Sequence, residues 1–287
     1  MKKKKKNLKE DGIGIYIHWP FCQSLCPYCD FNSYVSEKID MDHWSAAYKK
    51  ALRISAMQVD NNLVHSIYFG GGTPSLMSSR LVYEVINEIS KEFRLSSDAE
   101  ISLEANPTSA EYSKFKSYSA SGVNRCSLGI QALNDSDLKS LGRLHSVNDA
   151  LRAFDSARQC FKTSSFDLIY GRQNQTIGEW ENELKRAMRL DPFSHDVLFA
   201  QEGMCYYWLE DYKKAVESFR KVKILRQNLF YLAACYIKMG DLDIGSEKLK
   251  EAETVTGQNS DAFVDSLPYE QKDMMSDLRS TLNSAKG

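Results

Sequence analysis

The chain lacks a dominant charge. Across 287 residues, 37 Lys and Arg stand against 38 Asp and Glu, for a net charge of −1. With no basic surplus, nothing global draws the molecule to nucleic acid or to a membrane surface. It also lacks the run of about 18 apolar residues that a membrane-spanning helix needs, so no membrane insertion is expected. The lysines at Lys2–Lys6 are not followed by the apolar stretch of a secretory signal, and residues 1–11 read as a solvated, disordered, lysine-rich tail. A disulfide framework is missing too. The seven cysteines are an odd count: Cys22, Cys26 and Cys29 crowd together, while Cys126, Cys160, Cys205 and Cys235 sit scattered in apolar or helical surroundings, where a thiol packs as a small hydrophobe. With no export signal, the cytoplasm is the expected compartment. What remains is an ordinary globular composition, 43% hydrophobic and 26% charged, enough for a core in one large or two modest domains.

Strand-like and helix-like stretches alternate through the first two-thirds. Residues 13–19, 64–69, 100–105, 123–130 and 164–169 read as strands. Helical apolar spacing fills 43–59, 79–93, 108–120, 135–160 (with a break) and 176–190. Such alternation implies an α/β fold with a parallel sheet and right-handed connections. Residues 195–199 are a candidate sixth strand. The residues with chemistry follow strands: the cysteines, Gly70-Gly-Gly-Thr-Pro74, Glu104-Ala-Asn-Pro107, Gln131 and Asp167. A parallel sheet gathers ligands at the carboxyl ends of its strands.

Near Asp191-Pro192 the character changes to helical and tyrosine-rich. Gly203, Tyr206, Ala215 and Phe219 are matched 30 residues later by Ala233, Tyr236, Gly245 and Leu249. Small residues at fixed offsets let two helices pack closely. The pattern resembles tetratricopeptide repeats, which are about 34 residues long, with the second repeat trimmed. Residues 268–284 read as a capping helix. Two repeats are fewer than the three that normally stand alone, so this part is expected to lean on the N-terminal domain. The expected division is a core domain at 12–192, repeat-like helices at 193–255, and a linker with a C-terminal helix at 256–287.

The cysteine spacing is Cys22-x3-Cys26-x2-Cys29, with Pro20 and Pro27 preventing a regular helix through it. Thiolates are soft ligands that suit an iron–sulfur cluster or zinc. Three ligands on a four-iron cluster leave one iron open for an exogenous ligand; a zinc site completed by His18 or Asp30 is the alternative.

The segment Tyr16-Ile-His-Trp-Pro-Phe-Cys-x3-Cys-Pro-Tyr-Cys-Asp-Phe31 resembles the signature of radical S-adenosylmethionine (SAM) enzymes, and more narrowly the oxygen-independent coproporphyrinogen III oxidase family. Five further blocks follow in the family's order: Ile67–Ser75, Leu103–Pro107, Gly122–Gln131, Leu141–His145 and Phe166–Gly171. The resemblance covers about residues 13–192. It implies a partial (βα)6 radical SAM barrel followed by an all-α region. It also implies a [4Fe–4S] cluster on Cys22, Cys26 and Cys29, with the open iron chelated by the amino and carboxylate groups of SAM. Electron transfer then cleaves a C–S bond to give a 5′-deoxyadenosyl radical. By position in the motifs, Tyr16 and Tyr28 flank the SAM pocket, Gly71, Gly72 and Thr73 approach its amino group, and Glu104, Gln131, Arg143 and Asp167 contact SAM.

One detail selects a branch. The true oxidases carry a further cysteine two residues after the third ligand; here Cys29 is followed by Asp30-Phe31, which resembles the haem-chaperone branch. That branch implies haem and a haem-accepting protein as partners. Two departures stand out. The family's Leu-Pro-Gly-Gln-Thr is replaced by Arg172-Gln-Asn-Gln-Thr176, which is expected to loosen that edge of the site. The family's later portion, including a His-Asn…Tyr-Trp stretch tied to haem handling, has no counterpart after Pro192. The leading expectation is a haem-chaperone-type radical SAM protein. The rivals are a degenerate scaffold whose repeats bind a partner peptide, and a true coproporphyrinogen III oxidase, against which the missing cysteine counts.

Overall fold

The computed structural model describes residues 12–36, 38–60, 62–108, 113–191, 195–267 and 272–285; the lysine-rich tail and Pro192 lie outside these. Two compact units divide between Ile169 and Tyr170.

The first unit is built on a parallel sheet of β1 (Ile13–Trp19), β4 (Leu63–Gly71), β5 (Arg94–Ala105), β6 (Arg125–Gln131) and β7 (Thr163–Leu168), adjacent in chain order. A short ribbon pairs β2 (Phe21–Cys22) with β3 (Tyr34–Val35). The crossover helices are α1 (Met41–Ala56), α2 (Ser79–Glu92), α3 (Phe115–Ala120), α4 (Asp135–Ser140) and α5 (Val147–Cys160), with a 3-10 turn at Pro74–Leu76. Each long helix starts where a side chain takes up its free N–H groups. Asp40 accepts from Asp42 and His43 N–H, Ser78 accepts from Leu81 N–H, and Ser146 with Asp149 forms a capping box.

Apolar side chains recur at alternate positions of the strands, on the face where the helices pack. Ile17, Trp19, Ile67, Phe69, Ile101, Leu103, Cys126, Leu128 and Ile130 are buried. Leu81, Val82, Val85, Ile86 and Ile89 of α2 are also buried, and α2 packs on β5 while α5 packs on β6 and β7. The other face is polar across the whole sheet. Tyr16 pairs with Tyr68, Tyr68 with Ser102, Ser102 with Arg125, Glu104 with Ser127, and Ser127 with Ser165.

The second unit is helical: α6 (Ile177–Leu190), α7 (His195–Trp208), α8 (Tyr212–Phe219), α9 (Asn228–Lys238), α10 (Leu242–Thr256), α11 (Ser260–Asp265) and α12 (Lys272–Ser284). The candidate sixth strand is corrected here. Residues 195–199 open α7, so the sheet has five strands among the described residues. Three apolar residues do not distinguish strand from helix; Val197-Leu198-Phe199 continues without a turn signal into Ala200–Trp208, with Asp196 suiting a helix first turn.

The 30-residue correspondence extends to the backbone. In the two hairpin turns Asp211 N–H donates to Tyr206 O at 2.9 Å and Asp241 N–H to Tyr236 O at 2.9 Å, with Glu210 (φ 60°) and Gly240 (φ 87°) left-handed at the same place. A Cβ at Gly203 would stand 2.7 Å from the Phe219 ring, and one at Gly245 would stand 2.6 Å from Ile237, so these positions set how closely each helix pair packs. Phe263 of α11 stacks on Phe230 of α9 at 4.3 Å, and Leu278 and Leu282 of α12 enter the same core.

The polar turn after β7 is not loose. Arg172 Nη2 donates to Glu183 Oε2 at 2.6 Å, with both side chains only 6% exposed. Gln175 Oε1 accepts from Arg172 N–H, and Thr176 with Glu179 caps α6. Arg172 replaces the rigidity of an apolar-proline turn with a buried ion pair.

Candidate functional site

An open cleft of about 360 Å³ lies at the carboxyl ends of the strands, wholly within the first unit. Its floor is the Gly71-Gly72-Thr73 turn. Gly72 N–H donates to Trp19 O at 2.7 Å and Thr73 N–H to Phe21 O at 2.8 Å, which ties this turn to the residues leading into Cys22. Gly71 has φ +117°, and a Cβ there would meet Trp19 O at 2.7 Å; a Cβ on Gly72 would meet Phe21 O at 2.6 Å and Cys22 Sγ at 3.0 Å. Only glycine brings backbone this close to the thiol.

The base of the cysteine loop rests on aromatics. Trp44 of α1 packs edge-on to Trp19 at 5.7 Å and to Phe21 at 5.5 Å, and the Tyr48 hydroxyl donates to His18 O at 2.7 Å. Beyond it the loop turns at Cys26–Cys29, closed by Cys29 N–H to Cys26 O at 3.0 Å. Cys22 is buried, Cys26 half-buried and Cys29 exposed, and all three line the cleft. Among the described residues no group of three His, Cys, Asp or Glu side chains closes to single-ion distance. His18, offered as a zinc ligand, has Nδ1 3.1 Å from Tyr16 OH and Nε2 3.2 Å from Asn32 O.

Of the residues read from the sequence as cluster ligands or SAM contacts, all but Tyr16 line this cleft. Tyr16 is 55% exposed and stacks on Tyr68 at 6.1 Å, one residue removed from the cleft. Glu104 accepts from Tyr68 OH at 2.7 Å and from Gly71 N–H at 3.2 Å, so it holds the glycine turn as well as facing the cleft. Burial raises its carboxyl above the usual range, and the Tyr68 and Gly71 hydrogen bonds oppose that. Asp167 is raised by desolvation, with Arg125 opposing. Gln131 ends β6 with a φ of 73°, a conformation rare for its type, and its side chain folds over Gly129.

Arg143 does not pair with Asp167. Its Nη2 donates to Asn106 Oδ1 at 2.6 Å and to Gly129 O at 3.0 Å; its Nη1 points at Cys26 Sγ, 3.5 Å away, and Tyr28 OH, 3.3 Å away. Its Nε is buried with no hydrogen-bond partner. Burial pushes the Tyr28 phenol up to about 12. His145 behind Arg143 is 5% exposed, and burial, then Arg143, holds its pKa down at about 4.

Sequence reasoning missed Asn106, Tyr68 and Arg125. Asn106 stood in a quoted motif directly after a strand. The other two could have been found from period-2 alternation, which puts Tyr68 and Arg125 on the polar face.

A five-stranded parallel sheet with a three-cysteine loop at its carboxyl edge, facing a glycine turn and the ends of the next strands, defines a radical SAM core. The chain belongs to the radical SAM superfamily, whose family model matches residues 16–187. It is 37% identical over 187 residues to the haem chaperone HemW of Haemophilus influenzae, covering 63% of this chain and 49% of that protein. It is 40% identical over 180 residues to the mitochondrial radical S-adenosyl methionine domain-containing protein 1 of Bos taurus, covering 61% of this chain and 40% of that protein. Among solved structures, the coproporphyrinogen III oxidase HemN of Escherichia coli matches with a TM-score of 0.54 and 28% identity, over 67% of this chain and 46% of that one. The chain thus spans roughly two-fifths to one-half of the length of these relatives. The superfamily implies a [4Fe–4S] cluster and SAM. The residues present fit both: three soft donors line one open cleft, the Gly71-Gly72 turn lies close against Cys22, and Arg143 lines the same cleft. No helix among the described residues is long and apolar enough to cross a membrane.

Proposed function

We propose that this protein works as a haem-chaperone-type radical SAM protein, with Cys22, Cys26 and Cys29 as the cluster ligands. The carrying observation is that the cysteine loop and the ends of β4 to β7 put their polar side chains into one cleft. When bound, the cluster supplies single electrons and an open iron for SAM. Gly71, Gly72 and Thr73 approach the SAM amino group. Arg143, which lines the cleft, offers its guanidinium to the carboxylate. Glu104 and Asp167 accept from ribose hydroxyls or the ammonium, Gln131 adds an amide, and Tyr28 and Tyr16 flank the pocket. The functional core is 12–192, a reading supported by the family match through residue 187, which includes α6.

Phe31, 61% exposed at the cleft, stands where an oxidase has its further cysteine, which supports the chaperone branch over the oxidase. The relatives named haem chaperones support haem as the cargo, with a haem-accepting protein as the partner. The hairpins at 193–255 are read as tetratricopeptide-like and as the surface for a partner peptide, followed by the segment 256–287. The seven cysteines are thiols and not disulfides, which suits a reducing compartment, the cytoplasm.

The test is anaerobic reconstitution followed by haem titration in visible light. Saturable haem binding at one site, transfer to an apo-haemoprotein, and no protoporphyrinogen from coproporphyrinogen support the reading. Oxidase turnover overturns the branch. Absence of haem binding by cluster-loaded protein overturns the cargo and favours the scaffold reading.

A further inference from the structure

Arg143 does more than face the cleft: it ties the cysteine loop to the sheet edge. It joins Cys26 and Tyr28 on one side to Asn106 and Gly129 on the other, across a sequence separation of 117 residues in the case of Cys26. Asn106 is fixed in its turn. Its Nδ2 donates to Thr73 Oγ1 at 3.3 Å and its backbone N–H donates to Ser75 Oγ at 3.4 Å. A guanidinium is planar, so holding Nη2 on Asn106 and Gly129 also fixes the direction of Nη1. That direction is toward the Cys26 sulfur, at a distance suited to N–H···S contact.

We propose that Asn106 is a positioning residue that, through Arg143, aims a charged N–H at the Cys26 sulfur and so raises the reduction potential of the cluster held there. The inference rests on the cluster reading above. A hydrogen bond from a cation to a ligand sulfur stabilises the reduced form, which carries one more negative charge. One electron enters the cluster from an external reductant and no proton need move, since the guanidinium stays charged throughout. SAM is not needed for this effect, which separates it from any contact Arg143 makes with a carboxylate.

The test compares reconstituted wild type, Asn106→Ala and Arg143→Gln without SAM, by iron and sulfide content and by a reductive titration followed by electron paramagnetic resonance. The expected result is full cluster content with the reduction equilibrium of both variants moved about tenfold toward the oxidised form, roughly 59 mV lower for a one-electron couple. If Asn106→Ala takes up less iron, the potential is read on Arg143→Gln, which leaves the Asn106–Thr73 bond in place. Wild-type potential in a loaded variant overturns the proposal and leaves the cluster reading standing. No cluster in wild type with its thiols reduced overturns both.

Discussion

The sheet unit and the helical unit use the same residue types for opposite ends. In the sheet unit Gly71 and Gly72 let a turn lie close against Trp19, Phe21 and Cys22; in the helical unit Gly203 and Gly245 make room for a neighbouring helix. Cys22, Cys26 and Cys29 line an open cleft, whereas Cys205 and Cys235, at matching repeat positions, are buried and their thiols are pushed up to about 12. A thiol that stays protonated is a packing group, not a ligand. Spacing alone does not assign a cysteine; what surrounds it does.

The sharpest way to break this comparison is to swap the cysteines. Changing Cys22, Cys26 and Cys29 together to Ala should reduce bound iron to background after reconstitution, while Cys205→Ala with Cys235→Ala keeps the full complement. Iron loss in the second variant would erase the distinction.

Next in size is the ion pair after β7. Arg172→Met leaves Glu183 buried without its guanidinium, and removing one partner of such a pair costs about 3–5 kcal/mol. Thermal unfolding followed by circular dichroism should show the loss, with SAM binding by the remaining folded protein unchanged.

The glycines give a smaller and reciprocal effect. Gly203→Ala pushes a methyl into the Phe219 ring and should destabilise by about 1–3 kcal/mol without touching SAM affinity. Gly71→Ala adds a Cβ against Trp19 O at a positive φ, and calorimetry should show SAM affinity falling with it.

The buried His145 adds a dependence on pH. His145 titrates at about 4 in the fold against the usual 6.5, so between these values the unfolded chain binds the extra proton. Stability contributed by neutral His145 is therefore complete above pH ~6.5 and is lost as pH falls toward ~4. His145→Gln should flatten the slope of urea stability over that window.

Much of the sheet unit was legible because strand ends, glycine turns and helix caps leave local marks. The helices at 43–59 and 79–93 appear as Met41–Ala56 and Ser79–Glu92, and the strand at 164–169 as Thr163–Leu168. What was not legible depends on tertiary pairing. The start of β5, Arg94-Leu-Ser-Ser-Asp98, is too polar to read as a strand; Arg94 and Leu95 pair with Leu63 and Val64 of β4, and the register shifts before Glu100. The ribbon at Phe21–Cys22 has two residues per strand and no local signal. Residues 195–199 were ambiguous because three consecutive apolar residues, Val197 to Phe199, suit either state. Asn106 was passed over because its role lies in what it does to Arg143, which only the folded chain brings near.

The central claim is that the cysteine loop holds a cluster with an iron open to SAM. Electron paramagnetic resonance of the reduced, reconstituted protein, with and without SAM and alongside iron and sulfide analysis, tests it most directly. The account predicts about four iron and four sulfide per chain and a spectrum that changes when SAM is added. Stoichiometric zinc in place of iron, or a cluster whose signal is indifferent to SAM, would contradict it.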